Sequence, residues 1–274
     1  MALLNKYHLA TVRPTIDVLP NTAWSHANDV LFDWYPFEIP RGGCALKTLN
    51  VIVPGVNTAA ASGVDMEIFF AKSVNGVAPP SLGDPDSAVT KIAATACKNH
   101  IIGQKYLDAS HMENGDLLGS YNIWTTSADG AAAAVKQQDV MQPIILEGDP
   151  NYTGTTKGYQ TIWIAALTMG TPDHGTNVIL EGAVSEAGAQ TLDVTADSSS
   201  DADDVFAIGD ELLAAASDGS SVQTIGTITA LTAASITVDA KDVYGNTVWE
   251  SGALADDDEI CFRRPFTFNL GLEY

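Results

Sequence analysis

The stretch at residues 205–240, VFAIGDELLAAASDGSSVQTIGTITALTAASITVDA, decides the fold class. Its apolar residues come in short runs that are broken at Gly209-Asp210 and by a Ser-Asp-Gly-Ser turn at 217–220. Residues 222–230 and 235–238 alternate apolar residues with Thr and Gly, which is typical of half-buried strands. Because each such strand is too short to be stable alone, the pattern predicts a small β-barrel.

This stretch belongs to a strongly acidic segment, residues 181–259. The segment holds 17 of the 34 acidic side chains of the chain but one of its 13 basic ones, Lys241, which leaves −16 of the total charge of −21. Phosphate backbones and anionic lipids attract proteins through clustered Lys and Arg, so we expect neither nucleic acid nor membrane among the partners. The charge favours a module that faces solvent.

The residues outside the acidic segment predict a larger β domain. The chain has 23 Gly, 12 Pro and many Thr, Ser and Val residues, which favour turns and strands over long helices. Strand-like runs separated by Asn-Gly, Asp-Gly and Gly-Asp-Pro turns favour a β-sandwich or jelly roll. The predicted strands lie at 45–53, 64–70, 101–102, 117–125, 140–146 and 159–168.

The end of the chain, residues 260–270, is strand-like again and no longer acidic. Its aromatic alternation at Phe266 and Phe268 resembles the N-terminal region, so we expect this strand to pair with the first domain. The predicted domains are therefore a β-sandwich at 1–180 plus 260–274, with an extended N-terminal arm, and an inserted acidic barrel at 181–259. Two domains in tandem are the alternative.

The composition also sets expectations about the compartment. The start of the chain has no charged leader followed by an apolar run, and no segment approaches the ~18 consecutive apolar residues of a membrane helix. Three cysteines, Cys44, Cys97 and Cys261, are odd in number and far apart, which predicts buried reduced thiols. We expect a soluble chain that is made in a reducing cytoplasm.

No motif predicts an enzyme, a metal site or a bound cofactor. The patterns GxxxxGK[ST], GxGxxG, GxSxG and HExxH are absent from the sequence. Cys97 and His100 lie three residues apart, but no second pair follows at zinc-site spacing. The acidic clusters at 201–204 and 256–259 do not match the calcium-loop pattern, and we interpret them as solvated loops. The alternative is that they meet at the neck of the inserted domain and hold a cation.

Two stretches resemble virion structural proteins of tailed bacteriophages, in particular capsid decoration or cement proteins. They are the Pro-rich TVRPTIDVLPN at 11–21 and the module at 205–240, which looks like the small accessory barrels of such proteins. The resemblance implies a homo-oligomer, expected here as a trimer, whose sandwich binds the major capsid protein lattice while the barrel points outward. It also implies a place on the capsid surface of the virion, after synthesis in the host cytoplasm.

The predicted contact surface, between subunits or with the capsid, is the N-terminal region 1–40. Proline holds the backbone extended there, and aromatic side chains supply area that an interface can bury. The candidate interface residues are Trp24, Phe32, Trp34, Tyr35 and Phe37.

Two other classes of function stay open. The first is a receptor- or carbohydrate-binding virion module, which exposed aromatic side chains around Trp34 or Trp124 would indicate. The second is a glycan-acting enzyme, which a cleft with two acids, one of strongly raised pKa, would indicate.

Overall fold

The computed structural model describes most of the chain, in eleven stretches. These are residues 6–17, 28–54, 64–89, 95–109, 112–115, 118–124, 143–170, 172, 175–196, 201–216 and 221–274. Strands dominate this part of the chain, and the predicted fold class, mainly β with a sandwich and a small barrel inserted before the last strand, is confirmed. No helix among the described residues has the length and apolar character that crossing a membrane requires.

Sixteen strands and one short helix are the main elements of the described fold, and residues 95–97 are helical as well. The main elements are β1 (Tyr7–Val12), β2 (Asp29–Pro40), β3 (Cys44–Pro54), β4 (Met66–Ala71), β5 (Ile101–Leu107), β6 (Glu113–Gly115), β7 (Leu118–Trp124), β8 (Ile144–Leu146), β9 (Tyr159–Thr168), β10 (Val178–Leu180), β11 (Gln190–Ala196), α1 (Ala202–Val205), β12 (Glu211–Ala215), β13 (Val222–Thr232), β14 (Ser235–Asp239), β15 (Glu259–Phe262) and β16 (Thr267–Glu273).

The sandwich consists of two antiparallel sheets. Sheet one has the order β1-β16-β3-β7-β6, with β8 also paired to β3, and sheet two has the order β2-β9-β4-β5. Each sheet turns one face inward because side chains alternate along a strand, as in β16, where Phe268, Leu270 and Leu272 are buried. Phe32 of β2 meets Phe268 edge to face, with the ring centroids 5.3 Å apart, so the two sheets share one core.

The barrel closes on itself in the order β10-β11-β14-β13-β12-β15. Its core is separate from that of the sandwich and surrounds Trp249, which is 1% exposed and donates its indole N–H to the Gly252 carbonyl at 3.2 Å. Short strands with one apolar face, such as β14 with Ile236 and Val238 buried, can bury that face only by closing. The short alternating strands that the sequence predicts therefore form a closed barrel.

The chain passes from the sandwich into the barrel after β9 and returns after β15. The barrel strands run from Val178 to Phe262, whereas the predicted segment was 181–259. The last strand, β16, lies between β1 and β3 in sheet one, so the first and last strands of the described chain are neighbours.

Candidate functional site

The junction between barrel and sandwich is built around a buried carboxylate, Glu211, at the start of β12. Its side chain is 0% exposed and binds two consecutive arginines of the β15–β16 link, Arg263 through Nη1 and Arg264 through Nε at 2.7 Å. Arg263 also binds Asp17 of the sandwich, with Nε 2.7 Å from Oδ1. We call Glu211, Arg263, Arg264 and Asp17 the junction network.

Two tyrosines extend the junction network across the same boundary. Tyr35 of β2 and Tyr244 of the barrel loop after β14 share a hydrogen bond between their hydroxyls at 2.8 Å. Arg264 donates from Nη1 to the Tyr35 hydroxyl at 3.0 Å and to the Arg13 carbonyl at 2.5 Å. Its guanidinium also lies 5.6 Å from the ring centroid of Tyr244. Barrel, link and sandwich are therefore tied by side chains from all three.

Burial and ion pairing act in opposite directions on the arginines. Burial disfavours the charge of Arg263, but the ion pairs with Asp17 and Glu211 outweigh it and raise its pKa. For Arg264, burial is likewise outweighed by Glu211 and by the Tyr35 hydroxyl, so its pKa is raised too. Both guanidiniums stay charged, and the network is a charged linkage that is stable only while it is complete.

A cavity of about 790 Å³ opens beside the junction network. Its walls come from β1, β2 and the start of β9 on the sandwich side, and from β12, the loop after β14 and β15 on the barrel side. The aromatic part of the wall consists of Tyr35, Phe37, Tyr159, Tyr244 and Phe262.

The polar part of the cavity wall carries two half-buried carboxylates besides Glu211. Glu38 accepts a hydrogen bond from the Thr156 amide at 2.6 Å. Asp210 accepts one from the Ala207 amide at 2.8 Å, and burial raises its pKa above the ordinary value for Asp. One oxygen of each carboxylate is thus held by the backbone, which fixes how the group sits in the wall.

The predicted interface residues lie in three different environments. Trp24 falls outside the described residues. Phe32 and Phe37 are 1% and 8% exposed, so both contribute mainly to the sandwich core. Trp34 is half-buried and donates its indole N–H to the Pro80 carbonyl at 2.9 Å. Tyr35 lies in the junction, where it contacts the chain's own barrel.

The burial of both phenylalanines follows from irregular pairing in β2. Phe32 and Phe37 are an odd number of residues apart, so a regular strand would place them on opposite faces. The register of β2 against β9 shifts between Val30 and Phe32 and again between Phe32 and Tyr35. These shifts bring both phenylalanines to the core, which simple alternation does not predict.

An exposed apolar surface occurs on the outer face of sheet one instead. Tyr7 and Leu9 of β1 are 68% and 65% exposed, and Ile145 of β8 is 62% exposed. The register places Tyr7 opposite Glu273, Glu273 opposite Ala45, and Ala45 opposite Ile145, so these side chains form one row. Within this row Glu273 interrupts the apolar side chains and pairs with Lys47 at 2.9 Å. We call Tyr7, Leu9, Ala45 and Ile145 the outer patch.

The edge of β1 beside the outer patch is open within the described residues. Tyr274 donates its amide to the Lys6 carbonyl at 2.9 Å, so the backbone groups of alternate residues from Lys6 onward face β16. Those of Tyr7, Leu9 and Thr11 therefore face the other side, where no strand of the described chain pairs with them. An open edge of this kind can pair with another chain.

The three cysteines and His100, named above as candidates, are buried or hydrogen-bonded within the fold. The three cysteines are free and buried, as predicted, and burial raises the pKa of each thiol. His100 makes a hydrogen bond through Nδ1 to the Lys72 carbonyl at 2.9 Å, while Cys97 faces the Pro80 carbonyl. Among the described residues, no group of three or more His, Cys, Asp or Glu side chains is arranged to hold a metal ion.

The two acidic clusters instead bind nearby backbone. Asp204 accepts a hydrogen bond from the Asp201 amide at 3.3 Å at the start of α1. Asp256 accepts one from the Gly182 amide at 2.7 Å, and Asp258 one from the Ala255 amide at 2.8 Å. These carboxylates order the turns in which they lie.

The junction network was missed by the sequence reasoning, although one signal for it was present. Arg263 and Arg264 are the one adjacent pair of basic residues in the sequence, and they lie just after the acidic segment, beyond residues 260–262. Glu211 carried no signal of its own among the 17 acids of that segment.

Comparisons with known proteins give little further information. No family model matches the chain, and no curated protein matches it. Solved structures that align with it are chains of the Macrobrachium rosenbergii nodavirus (TM-score 0.16, 7% identity, 100% of this chain and 91% of that chain), of the Sulfolobus turreted icosahedral virus (0.12, 12%, 98% and 91%) and of deformed wing virus, a honeybee pathogen (0.13, 8%, 98% and 85%). All three chains come from virus structures, but TM-scores this low establish neither a shared fold nor a shared function.

Proposed function

We propose that this protein is a virion structural protein of a tailed bacteriophage, which binds the major capsid protein lattice as a decoration or cement protein. Its role is structural rather than catalytic, and it acts as a homo-oligomer, with a trimer as the working model. The observation that carries the proposal is the separation of two surfaces: an apolar outer patch on the sandwich, and an acidic surface on the barrel.

The charge distribution supports this separation. Nine of the fifteen acidic side chains that the structure describes in the barrel are exposed. The rest of the chain has 17 acids against 12 bases, so the sandwich is closer to neutral. A nearly neutral surface with exposed apolar side chains can be desolvated on a protein lattice, whereas the acidic barrel stays hydrated and keeps coated particles apart.

The outer patch suggests how the contact forms. Tyr7 and Leu9 offer apolar area at an open strand edge, where a strand of the capsid protein can add to sheet one. The junction network holds the barrel in a fixed orientation relative to the sandwich, so the barrel can point away from the capsid.

Co-sedimentation with pre-formed shells tests the proposal. The shells are assembled from the major capsid protein of the same genome, and the full-length chain is added in solution. We expect the chain to pellet with the shells, and we expect Leu9→Lys to reduce binding roughly tenfold or more because a charge then replaces an exposed apolar side chain of the outer patch.

Val77→Lys is the matched control, because Val77 is also 65% exposed but lies outside the outer patch. It should bind like the wild type. A chain that stays in the supernatant as a stable monomer would refute the decoration role, and equal binding by Leu9→Lys would refute the outer patch as the contact.

A further inference from the structure

We propose that the cavity beside the junction network is a binding site for a short neutral oligosaccharide. This inference does not rest on the decoration role, because it concerns a different surface of the molecule. The cavity of about 790 Å³ lies between two structural units and is within the range of ~300–1,000 Å³ typical of small-molecule sites.

The aromatic wall suits the apolar faces of sugar rings. Tyr159 and Tyr244 line the cavity and are 37% and 69% exposed, so part of each ring is available to a ligand. A pyranose ring presents C–H groups on its faces and hydroxyls around its rim. Tyrosine matches this arrangement because its ring is apolar and its hydroxyl can exchange hydrogen bonds at the edge.

The polar wall suits the hydroxyl rim. Glu38 and Asp210 each use one oxygen for a backbone amide, at 2.6 Å and 2.8 Å, and the other oxygen has no hydrogen-bond partner among the described residues. Ionised carboxylates accept hydrogen bonds, which sugar hydroxyls can donate. Arg13, an exposed donor in the same wall, can bind hydroxyl oxygens.

The charge balance of the cavity favours a neutral sugar. The junction network is neutral in sum, because Glu211 and Asp17 compensate Arg263 and Arg264, which leaves Glu38 and Asp210 against Arg13 in the wall. A sulfated or uronic-acid glycan would meet this slight negative excess on a chain whose net charge is −21, and both repel anions. Uncharged hydroxyl groups can donate hydrogen bonds to the same carboxylates without this repulsion.

The junction network also makes the cavity ready for a ligand. Opposite walls belong to sandwich and barrel, and the hydroxyl pair of Tyr35 and Tyr244 at 2.8 Å holds them together. A preformed cavity avoids the loss of conformational entropy that closing two mobile units on a ligand would require.

The test uses purified full-length chain on an array of immobilised neutral and acidic oligosaccharides, followed by calorimetric titration with the neutral glycan that binds best. We expect binding to neutral glycans, and we expect Tyr159→Ala to weaken it roughly tenfold or more. Tyr274→Ala is the matched control, because Tyr274 is 48% exposed and does not line the cavity; it should bind like the wild type.

Glu38→Gln provides a second, nearly isosteric variant, which tests the site even if Tyr159→Ala does not fold. We expect it also to lose binding, with an unchanged thermal unfolding midpoint. The proposal is overturned if no neutral glycan binds, if acidic glycans bind better, or if either cavity variant binds like Tyr274→Ala. Leu9→Lys should keep full glycan binding, so failure of this site and failure of the decoration role are distinguishable.

Discussion

The sandwich and the barrel are both antiparallel and both have an apolar interior, but their strand edges and their surfaces differ. Among the described residues the sandwich has open strand edges, and Tyr7 and Leu9 add exposed apolar area to one of them. The barrel is closed, has no strand edge, and carries nine exposed acids among its described residues. A closed barrel needs no charge to block edge pairing, so its charge serves the surroundings of the molecule rather than its fold.

The comparison also shows what joins two such different units. The barrel and the sandwich have separate cores, and the contact between them is a buried cluster of charges rather than apolar packing. Buried charges often add less stability than apolar packing of equal volume, because removing the ions from water is costly, but losing one partner of the pair is strongly destabilising. The four predictions below start with the largest expected effect.

Trp249→Ala should break the barrel and spare the sandwich. The indole is 1% exposed at the centre of the barrel core, and its removal should cost about 3–5 kcal/mol of unfolding free energy. Limited proteolysis with mass spectrometry should then show cuts between β10 and β15 while the sandwich strands stay protected. Val243→Ala, at a half-exposed barrel position, is the control. Simultaneous loss of protection in both units would contradict separate cores.

Glu211→Gln tests the linkage between the two units. The substitution keeps the shape but leaves Arg263 and Arg264 without their shared buried charge, at a cost of about 3 kcal/mol. Urea unfolding gives the free energy, and Glu250→Gln, an exposed barrel acid, should leave it unchanged. A loss below about 0.5 kcal/mol would mean that Asp17 alone compensates the arginines.

Gly226→Ala should show how closely backbones approach in the small barrel. Gly226 has a φ of +122°, and a Cβ there would lie 2.3 Å from the Asp239 carbonyl oxygen. We expect a loss of about 1–3 kcal/mol in unfolding free energy. Gly245→Ala is the matched control, because its φ is +85° but nothing lies within 4 Å of the added Cβ. Equal losses of unfolding free energy for the two variants would mean that the positive φ, and not the close approach of the Asp239 carbonyl, causes the whole effect.

Asp210→Asn should give a small stabilisation that depends on pH. Burial raises the pKa of Asp210 in the folded state, so this group stabilises the fold below its ordinary pKa, and that contribution is lost as the pH rises through the raised value. The Asn variant should therefore gain less than about 1 kcal/mol over wild type at neutral pH and nothing in acid. Thermal unfolding at several pH values measures this, with exposed Asp193→Asn as control. A stability difference between Asp210→Asn and the wild type that stays the same at every pH would contradict this prediction.

The β class and the barrel were predictable because they depend on local alternation. In β14, Ile236 and Val238 are buried between polar neighbours, and the sequence shows that period directly. The junction network was not predictable, because Glu211 and Arg263 are 52 residues apart and meet only after both units have folded. The candidate interface included the core residues Phe32 and Phe37 because register shifts in β2 are invisible in an aromatic-rich sequence.

The position of β16 has a consequence for how this protein is made. Its partners β1 and β3 leave the ribosome early, but the strand that belongs between them is translated only after the whole barrel. Sheet one therefore cannot be completed until the barrel has been made: β3 can pair with β7 and β8, but β1 and the edge of β3 that binds β16 stay unpaired until then. The barrel, which needs only residues between β10 and β15, can fold first and bring the last strand to its place.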